Sequence, residues 1–163
     1  MLVGVVSDTH NRLGHVQEIV SIFNSNYVDL VIHTGDITNS RTLENFSELK
    51  CPLKGVFGNN DLNEPGLEET ASRLGFEFKL PPLILTLDDV KLAVLHEPEV
   101  IDKVIEYERD IDLILHGHTH RYRNEVTNGI KIFNPGECAG SIKGKNAVGL
   151  VDIKTLDTER IFF

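Results

Sequence analysis

Histidine, aspartate and asparagine residues recur along this sequence directly after short apolar runs. The densest group is His-Gly-His-Thr-His at 116–120, which follows the apolar run 111–115. Side chains of these types bind divalent cations, and without cysteine among them they favour Mn, Fe, Co, Ni or Zn over Cu(I) or iron–sulfur clusters. The pattern therefore indicates metal ligands at the end of a buried strand.

Five groups of this kind follow five apolar runs. They are Asp8 with His10, Gly35-Asp36, Gly58-Asn59-Asn60-Asp61, His96, and Gly117-His118-Thr119-His120. Ligands bind at the carboxyl ends of strands in open α/β sheets, so parallel neighbours would bring the groups to one rim. This number of candidate ligands exceeds what one ion can use and indicates two ions that share a carboxylate. Such ions lie ~3.5–4 Å apart and act on the attacking and leaving oxygens of a displacement.

The elements that must position these groups alternate in type along the first half of the chain. Apolar spacing predicts strands at 2–6, 29–33 and 53–57, and helices at about 12–25, 43–49 and from 65 onward. The second half reads as strands at 76–80, 83–87, 91–95 and 112–116 and from 125 to the end, with one helical stripe over 100–105. The pattern predicts an α/β fold in which two sheets pack together with helices outside.

The length and composition limit the number of domains and the classes of function that fit this chain. The 163 residues favour one domain over 1–163, and the net charge of −9 argues against a nonspecific nucleic-acid or membrane binder, which needs a basic face. Cys51 and Cys138 form no C-x-x-C pair, which favours a reducing compartment. No apolar stretch approaches the ~20 residues of a membrane span, and the short apolar N-terminus lacks a signal-peptide pattern. We expect a cytoplasmic protein.

In this order, the five groups resemble the motifs of the calcineurin-like metallophosphoesterase superfamily. The short chain without a cap domain looks like its small bacterial and archaeal phosphodiesterase branch, and the retromer-subunit branch uses the same small fold. The resemblance covers the whole chain and implies a four-layer αββα sandwich with two mixed β-sheets. It also implies two ion sites that share Asp36. The first would use Asp8, His10, Asp36 and His120, and the second Asp36, Asn59, His96 and His118.

Asn60 departs from the family pattern. Many catalytic members have a histidine here, oriented by the following acid, that is thought to protonate the leaving oxygen. An amide cannot donate a proton at neutral pH, although it can donate a hydrogen bond to a phosphoryl oxygen. General acid catalysis is worth roughly 10²–10⁴-fold, so we expect a slow enzyme that works best on acidic leaving groups such as aryl alcohols. Asp61, the second catalytic candidate, is expected to support the loop or a metal-bound water.

Three further features lie beside these motifs. Arg12 is the candidate substrate-binding cation, because a position at a helix start could place its guanidinium near a phosphate, although a solvated arginine is equally compatible with the sequence. Glu97 stands where the family usually has a glycine after the histidine. The sequence leaves two placements open for its carboxylate: near the rim, where it would repel an anionic substrate, or pointing away from it. Residues 134–136, Asn-Pro-Gly, resemble a loop that closes the site in relatives and are also a good turn.

The remaining residues of interest are expected to have structural roles. His116 matches no ligand position of the family and is predicted to support the strand end. His33 is predicted to be structural and His15 to lie on a helix surface. Gly117 is expected to let the chain leave the strand with a free choice of φ.

The function implied is a metal-dependent phosphodiesterase in which a water or hydroxide, activated by two metal ions, attacks a small phosphodiester. Manganese is the first expectation for both ions, with nickel, cobalt, iron and zinc as alternatives. A non-catalytic metal-binding scaffold and a weak phosphomonoesterase stay open, whereas the acidic balance argues against a nuclease. Exposed edge strands also leave room for a homodimer.

Overall fold

The computed structural model describes all residues from 1 to 163. Its helices are α1 (Leu13–Ser25), α2 (Ser40–Glu44), α3 (Leu67–Leu74) and α4 (Ile101–Tyr107). Its strands are β1 (Leu2–Val6), β2 (Leu30–His33), β3 (Leu53–Val56), β4 (Glu77–Lys79), β5 (Leu83–Leu87), β6 (Val90–Val94), β7 (Leu113–Leu115), β8 (Arg123–Thr127), β9 (Ile130–Asn134), β10 (Ala147–Asp152) and β11 (Thr158–Phe162). Short 3₁₀ helices span Asn45–Glu48 and Pro98–Val100.

The strands form two mixed sheets. The six-stranded sheet has the order β11-β10-β1-β2-β3-β4, in which β1 to β4 are parallel and β10 and β11 are antiparallel. The five-stranded sheet has the order β5-β6-β7-β9-β8, in which β6, β7 and β9 are parallel and the two edge strands are antiparallel. Three parallel strands of each sheet lead into polar loops: β1, β2 and β3 in the larger sheet, and β6, β7 and β9 in the smaller one. These six loops are available to build one rim.

Three apolar layers hold four layers of secondary structure together. Helices α1, α2 and α3 cover the outer face of the larger sheet, the two sheets pack against each other, and α4 covers the outer face of the smaller sheet. Along β7, Leu113 and Leu115 point between the sheets while Ile114 points toward α4. This arrangement confirms the predicted α/β fold with two packed mixed sheets and outer helices.

The amphipathic pattern of α1 explains how it is held. Val16, Ile19, Val20 and Phe23 recur at helical spacing, and all four are buried against the larger sheet. The predicted helix from 12 to 25 is thus confirmed within one residue. The short helix predicted near 43–49 is present, but it begins at Ser40 and divides into α2 and the following 3₁₀ turn.

Strand β4 lies in the larger sheet, where it pairs in parallel with β3. The chain leaves α3 through Gly75, which has a φ of 73° and ends the helix with a left-handed residue. The larger sheet also takes the two final strands, so the smaller sheet is built only from the middle of the chain. No helix is both long and apolar enough to cross a membrane.

Candidate metal centre

The polar loops of both sheets meet at one rim. In the larger sheet, the N–H of Asp8 donates to the carbonyl of Gly35 at 3.1 Å, which joins the loops after β1 and β2. The two sheets are joined by the Nδ1–H of His96, which donates to the carbonyl of Thr34 at 2.8 Å. The N–H of Gly117 then donates to the carbonyl of His96 at 3.1 Å. The convergence predicted from five strand ends is therefore present.

The candidate ligands form two groups, here called half-sites, each suited to one ion. The first half-site consists of Asp8, His10 and His120. One ligand atom from each of these side chains lies within 4.8 Å of the others. The Nε2 of His120 is 3.4 Å from Oδ1 of Asp8, and the His10 and His120 rings are 5.6 Å apart between centroids. The neighbouring Asp8 carboxylate raises the pKa of His120, against the opposing effect of burial.

The second half-site consists of Asn59, His96 and His118. Its members contact one another directly: Oδ1 of Asn59 lies 3.0 Å from Nε2 of His96 and 3.0 Å from Nδ1 of His118. Because the Nδ1–H of His96 is donated to Thr34, Nε2 of that ring is the nitrogen that faces the site. Burial lowers the pKa of His96, but the adjacent Asp36 carboxylate outweighs it and leaves that pKa raised.

Asp36 lies between the two half-sites. Its Oδ1 is 3.4 Å from Nε2 of His96, and its Oδ2 is 3.9 Å from Nε2 of His10. Ligand atoms of Asp8, Asp36 and His96 also lie within 4.8 Å of one another. Burial disfavours the charged form of Asp36, but hydrogen bonds from His96 and Asn60 hold its pKa well below the usual value. Asp36 therefore provides a carboxylate that faces both half-sites.

The buried polar atoms support a metal centre here. Oδ2 of Asp8 accepts hydrogen bonds from the Ser7 hydroxyl and the His118 N–H, but Oδ1 is buried without a hydrogen-bond partner. A buried anionic oxygen without a donor is costly unless a cation is its partner. This donor set of carboxylates, imidazoles and one amide is suited to divalent ions such as manganese or zinc.

The backbone at the rim is strained where the ligands sit. Five ligand positions adopt the left-handed region, with φ between 43° and 68°: Asp8, His10, Asp36, His118 and His120. This region is uncommon for residues other than glycine, although aspartate and histidine tolerate it better than most, and such residues cluster at functional sites. The strained backbone turns each ligand off its strand and toward the shared rim.

Two glycines allow the loops to approach closely. Gly117 does not adopt a positive φ, so the prediction that it serves conformational freedom was wrong. A Cβ at Gly117 would instead overlap the Ser7 hydroxyl and lie 2.9 Å from Oγ1 of Thr34. A Cβ at Gly58 would overlap Oδ1 of Asp36. Both glycines are therefore required by the space beside the two central carboxylates.

The loop after β3 carries the two predicted catalytic residues, Asn60 and Asp61. The carboxylate of Asp61 accepts four backbone N–H groups, those of Asp36, Ile37, Thr38 and Gly58, at 2.7–2.9 Å. These donors oppose the effect of burial, which raises the pKa of Asp61. The expectation that Asp61 supports the loop agrees with this arrangement, in which the carboxylate faces backbone.

Asn60 is aimed at the shared carboxylate. Its Nδ2 donates to Oδ2 of Asp36 at 2.7 Å, and its backbone N–H donates to Oδ1 of Asp36 at 3.0 Å. A primary amide carries two N–H groups, so one is left for another acceptor.

Arg12 and Glu97 are both exposed, and neither side chain forms a hydrogen bond or an ion pair. The structure therefore leaves Arg12 free at the start of α1 and Glu97 without a protein partner.

The histidines outside the ligand set support the loops. His33 is fully buried; it accepts the N–H of Gly35 at Nδ1 and donates from Nε2 to Oγ1 of Thr9. Burial lowers the pKa of His33 to about 3, which keeps the ring neutral. His116 is buried with Nδ1 3.1 Å from the carbonyl of Gly117 and Nε2 without a hydrogen-bond partner, and burial lowers its pKa. The structural roles expected for His33 and His116 agree with these placements.

The surface role predicted for His15 was wrong. Its ring is half-buried, and Nδ1 donates to the carbonyl of Cys138 at 2.7 Å. The ring also packs edge-on against Phe163, with 5.9 Å between centroids. His15 therefore ties the start of α1 to the loop after β9, which a helical pattern alone could not indicate.

Sequence reasoning missed Glu137. This glutamate follows Asn134-Pro135-Gly136 at the end of β9, is only 1% exposed, and lies with Oε2 3.7 Å from Nδ1 of His120. β9 is the sixth parallel strand that ends at the rim. The signal that could have found it was an acid placed directly after a strand and a turn, as at the other strand ends.

Comparison with known proteins identifies the class to which this fold and centre belong. The profile of the calcineurin-like phosphoesterase superfamily domain matches residues 1–156. The chain therefore belongs to the calcineurin-like phosphoesterase superfamily, which implies divalent metal ions at this centre. The resemblance inferred from the five motifs is confirmed.

Two individual relatives and one solved structure are similar to this chain over most or all of its length. Phosphodiesterase MJ0936 of Methanocaldococcus jannaschii is 29% identical over 164 residues, which cover 99% of this chain and 98% of the relative. A probable metallophosphoesterase of the same organism, MJ0623, is 32% identical over 83% of this chain and 67% of its own length. The solved structure of an archaeal phosphodiesterase superposes with a TM-score of 0.90 at 28% identity, covering all of both chains. These matches support a phosphoesterase hydrolase.

The fold is also shared with a protein of the retromer branch. Vps29 from Entamoeba histolytica, solved with Zn²⁺, superposes with a TM-score of 0.69 at 17% identity, covering 99% of both chains. At this identity the similarity concerns the fold alone.

Proposed function

We propose that this protein is a metal-dependent phosphodiesterase that holds two divalent ions and hydrolyses a small phosphodiester with water. The observation that carries the proposal is the convergence of seven candidate ligands on one rim, where the buried Oδ1 of Asp8 accepts no hydrogen bond. The first ion would use Asp8, His10, Asp36 and His120, and the second Asp36, Asn59, His96 and His118. Manganese is the first candidate for both, followed by nickel, cobalt, iron and zinc.

The proposed reaction is an in-line displacement at phosphorus. An oxygen of water forms the new bond to phosphorus, the bond to the leaving oxygen breaks, and the products are a phosphomonoester and an alcohol. When bound, the two ions supply positive charge to the phosphoryl oxygens and lower the pKa of a water at the site. The chain's own contribution is orientation, because Asp61 fixes the loops of Asp36 and Gly58 through four N–H groups.

Asn60 is proposed to contact the substrate while it holds Asp36. One N–H of its amide is used by Oδ2 of Asp36, and the second is available to a phosphoryl oxygen. The amide has no proton to give the leaving oxygen, so solvent must protonate it. Good leaving groups such as aryl oxides are therefore favoured, since general acid catalysis is otherwise worth roughly 10²–10⁴-fold.

The test is a metal add-back assay on bis(p-nitrophenyl) phosphate. Protein stripped of metal receives Mn²⁺, Ni²⁺, Co²⁺, Zn²⁺ or Mg²⁺ singly, and p-nitrophenyl phosphate is the matched monoester. The proposal expects no turnover without metal, turnover restored by a transition ion, and a higher rate on the diester. A higher rate on the monoester would mean that the protein is a phosphomonoesterase and not a phosphodiesterase. Undiminished turnover in the stripped protein would refute the proposal.

The second candidate is a non-catalytic metal-binding scaffold, favoured by the amide at position 60 in place of a proton donor. The same assay separates it from the enzyme. Two bound ions without turnover on either ester would establish the scaffold. A homodimer through the open edge strands β4, β5, β8 or β11 stays a separate proposal, which sedimentation equilibrium tests directly.

A further inference from the structure

Glu137 is a buried carboxylate that the ligand set does not use. It is 1% exposed, and no lysine or arginine lies within ion-pair distance of it. Its oxygens accept the N–H of Ala139 at 2.9 Å and the N–H of Ile142 at 3.0 Å. Two neutral donors only partly offset the cost of removing a carboxylate from water, so a further positive partner is needed. The only basic side chain within 4 Å is His120, whose Nδ1 lies 3.7 Å from Oε2 of Glu137.

The two nitrogens of His120 face different surroundings. Nε2 faces Oδ1 of Asp8 in the first half-site, at 3.4 Å. Nδ1 faces away from it, toward Oε2 of Glu137 and toward the hydroxyl of Ser141 at 3.3 Å. Both groups beside Nδ1 can accept a hydrogen bond. A proton on Nδ1 is therefore stabilised, and the lone pair is left on Nε2.

We propose that Glu137 is a positioning residue of the metal centre: its carboxylate, at ion-pair distance from Nδ1 of His120, favours the proton on Nδ1 so that Nε2 binds the ion of the first half-site. This inference rests on the proposed metal binding. His96 in the second half-site has the matching arrangement, with its Nδ1–H donated to the carbonyl of Thr34. The difference is that Nδ1 of His120 has a hydroxyl at hydrogen-bond distance and a carboxylate at ion-pair distance. A carboxylate behind a ligand histidine fixes the tautomer and raises the basicity of the ligand nitrogen.

Glu137 also fixes the loop that brings Ser141 to His120. The carboxylate bonds to the loop at two backbone positions on either side of Gly140, and Ser141 lies between them. A purely structural glutamate would hold this loop without any effect on the tautomer of His120. The two roles therefore predict different results when Glu137 is replaced.

The experiment compares Glu137→Gln with Glu97→Gln, an exposed glutamate directly after the ligand His96. Zn²⁺ is titrated into metal-free protein by calorimetry, and side-chain ¹H–¹⁵N NMR follows His120 and His96 separately. We expect a loss of roughly 10–100-fold in affinity at the first half-site for Glu137→Gln, typical of such second-layer partners. The tautomer of His120 should become mixed, the occupancy of His96 should be unchanged, and Glu97→Gln should match the wild type.

A double-mutant cycle separates positioning from loop support. In a His120→Ala background, Glu137→Gln should have no further effect on Zn²⁺ affinity. A persistent loss in that background, or wild-type affinity and tautomer in Glu137→Gln, would overturn the inference. If Glu137→Gln does not fold, Glu137→Asp takes its place; it keeps the charge, and Nδ1 of His120 should stay protonated with a smaller loss of affinity. Failure of the wild type to bind Zn²⁺ would refute the proposed function instead.

Discussion

In the first half-site, with Asp8, His10 and His120, the buried Oδ1 of Asp8 accepts no hydrogen bond. In the second half-site, by contrast, Asn59 contacts both His96 and His118 at 3.0 Å. An ion that enters the first half-site meets an oxygen with no hydrogen bond to displace. An ion that enters the second must separate groups that already contact one another. Asp36 connects the two, so its own hydrogen bonds affect both.

The comparison indicates that the two halves of one centre are prepared for metal in different ways. The first relies on the fixed Asp8 carboxylate, whose Oδ1 accepts no hydrogen bond, and on a second carboxylate, Glu137, behind His120. The second relies on ligands that hold one another in place. We therefore expect the first half-site to fill before the second.

The largest effect is expected from Asp36→Ala, because this change removes the ligand that faces both half-sites. Both ions should be lost, and hydrolysis should fall by more than the roughly 10–100-fold that is typical for partners behind the ligands. Metal content by mass spectrometry and turnover on the aryl diester give the result. Hydrolysis that survives the loss of metal would show that the two half-sites are not the reaction centre.

A matched pair of variants should separate the half-sites. His10→Ala removes a ligand from the first half-site only, and His118→Ala removes one from the second only. Each variant should keep one of the two ions, and in the wild type the ion that enters first should be the one lost in His10→Ala. Stepwise calorimetry with Zn²⁺ measures this order. Entry at the second half-site first would reverse the comparison.

A smaller effect distinguishes the supporting His33 from the ligands. Its native pKa of about 3 lies below the ordinary 6.5, so below pH 6.5 the unfolded chain takes up a proton that the native state refuses. Stability is therefore retained above pH 6.5 and lost as the pH falls, by about 2 kcal/mol at pH 5 from this group. Urea unfolding of metal-free wild type and His33→Gln at pH 7.5 and 5 should differ in pH dependence by about this amount. Equal pH dependence would mean that His33 is not held neutral.

The smallest effect is expected from Arg12→Ala. This exposed side chain has no protein partner, and exposed ionic contacts are worth ~0.2–1 kcal/mol. KM for the diester should rise less than roughly fivefold, with kcat unchanged. Steady-state kinetics measures it, and Arg41→Ala, on the short helix α2, is the control. A large fall in kcat would place Arg12 much closer to the reacting atoms than its exposure suggests.

The fold and the ligand set could be predicted because they follow from periodic patterns. Buried parallel strands read as apolar runs, and polar residues directly after them must share a rim. Asp8, Asp36 and His96 illustrate this, since each follows its strand within a few residues. Family resemblance then assigned them to two ions, and the structure brings those residues together.

The parts that could not be predicted depend on contacts between distant loops. Gly117 is required by the Ser7 hydroxyl beside it, which no local pattern indicates. His15 has a helical position that suggests a surface residue, but its partner is a carbonyl 123 residues away. Glu137 stands alone after its turn, so only the placement of β9 beside β7 reveals that it lies behind His120.

The central claim is that one rim holds two ions with Asp36 between them. Anomalous diffraction from a crystal grown with Mn²⁺ tests it most directly. The account predicts two peaks ~3.5–4 Å apart, with an oxygen of Asp36 on each ion, His10 and His120 on one ion, and His96 and His118 on the other. A single peak, or two peaks that do not share Asp36, would contradict it.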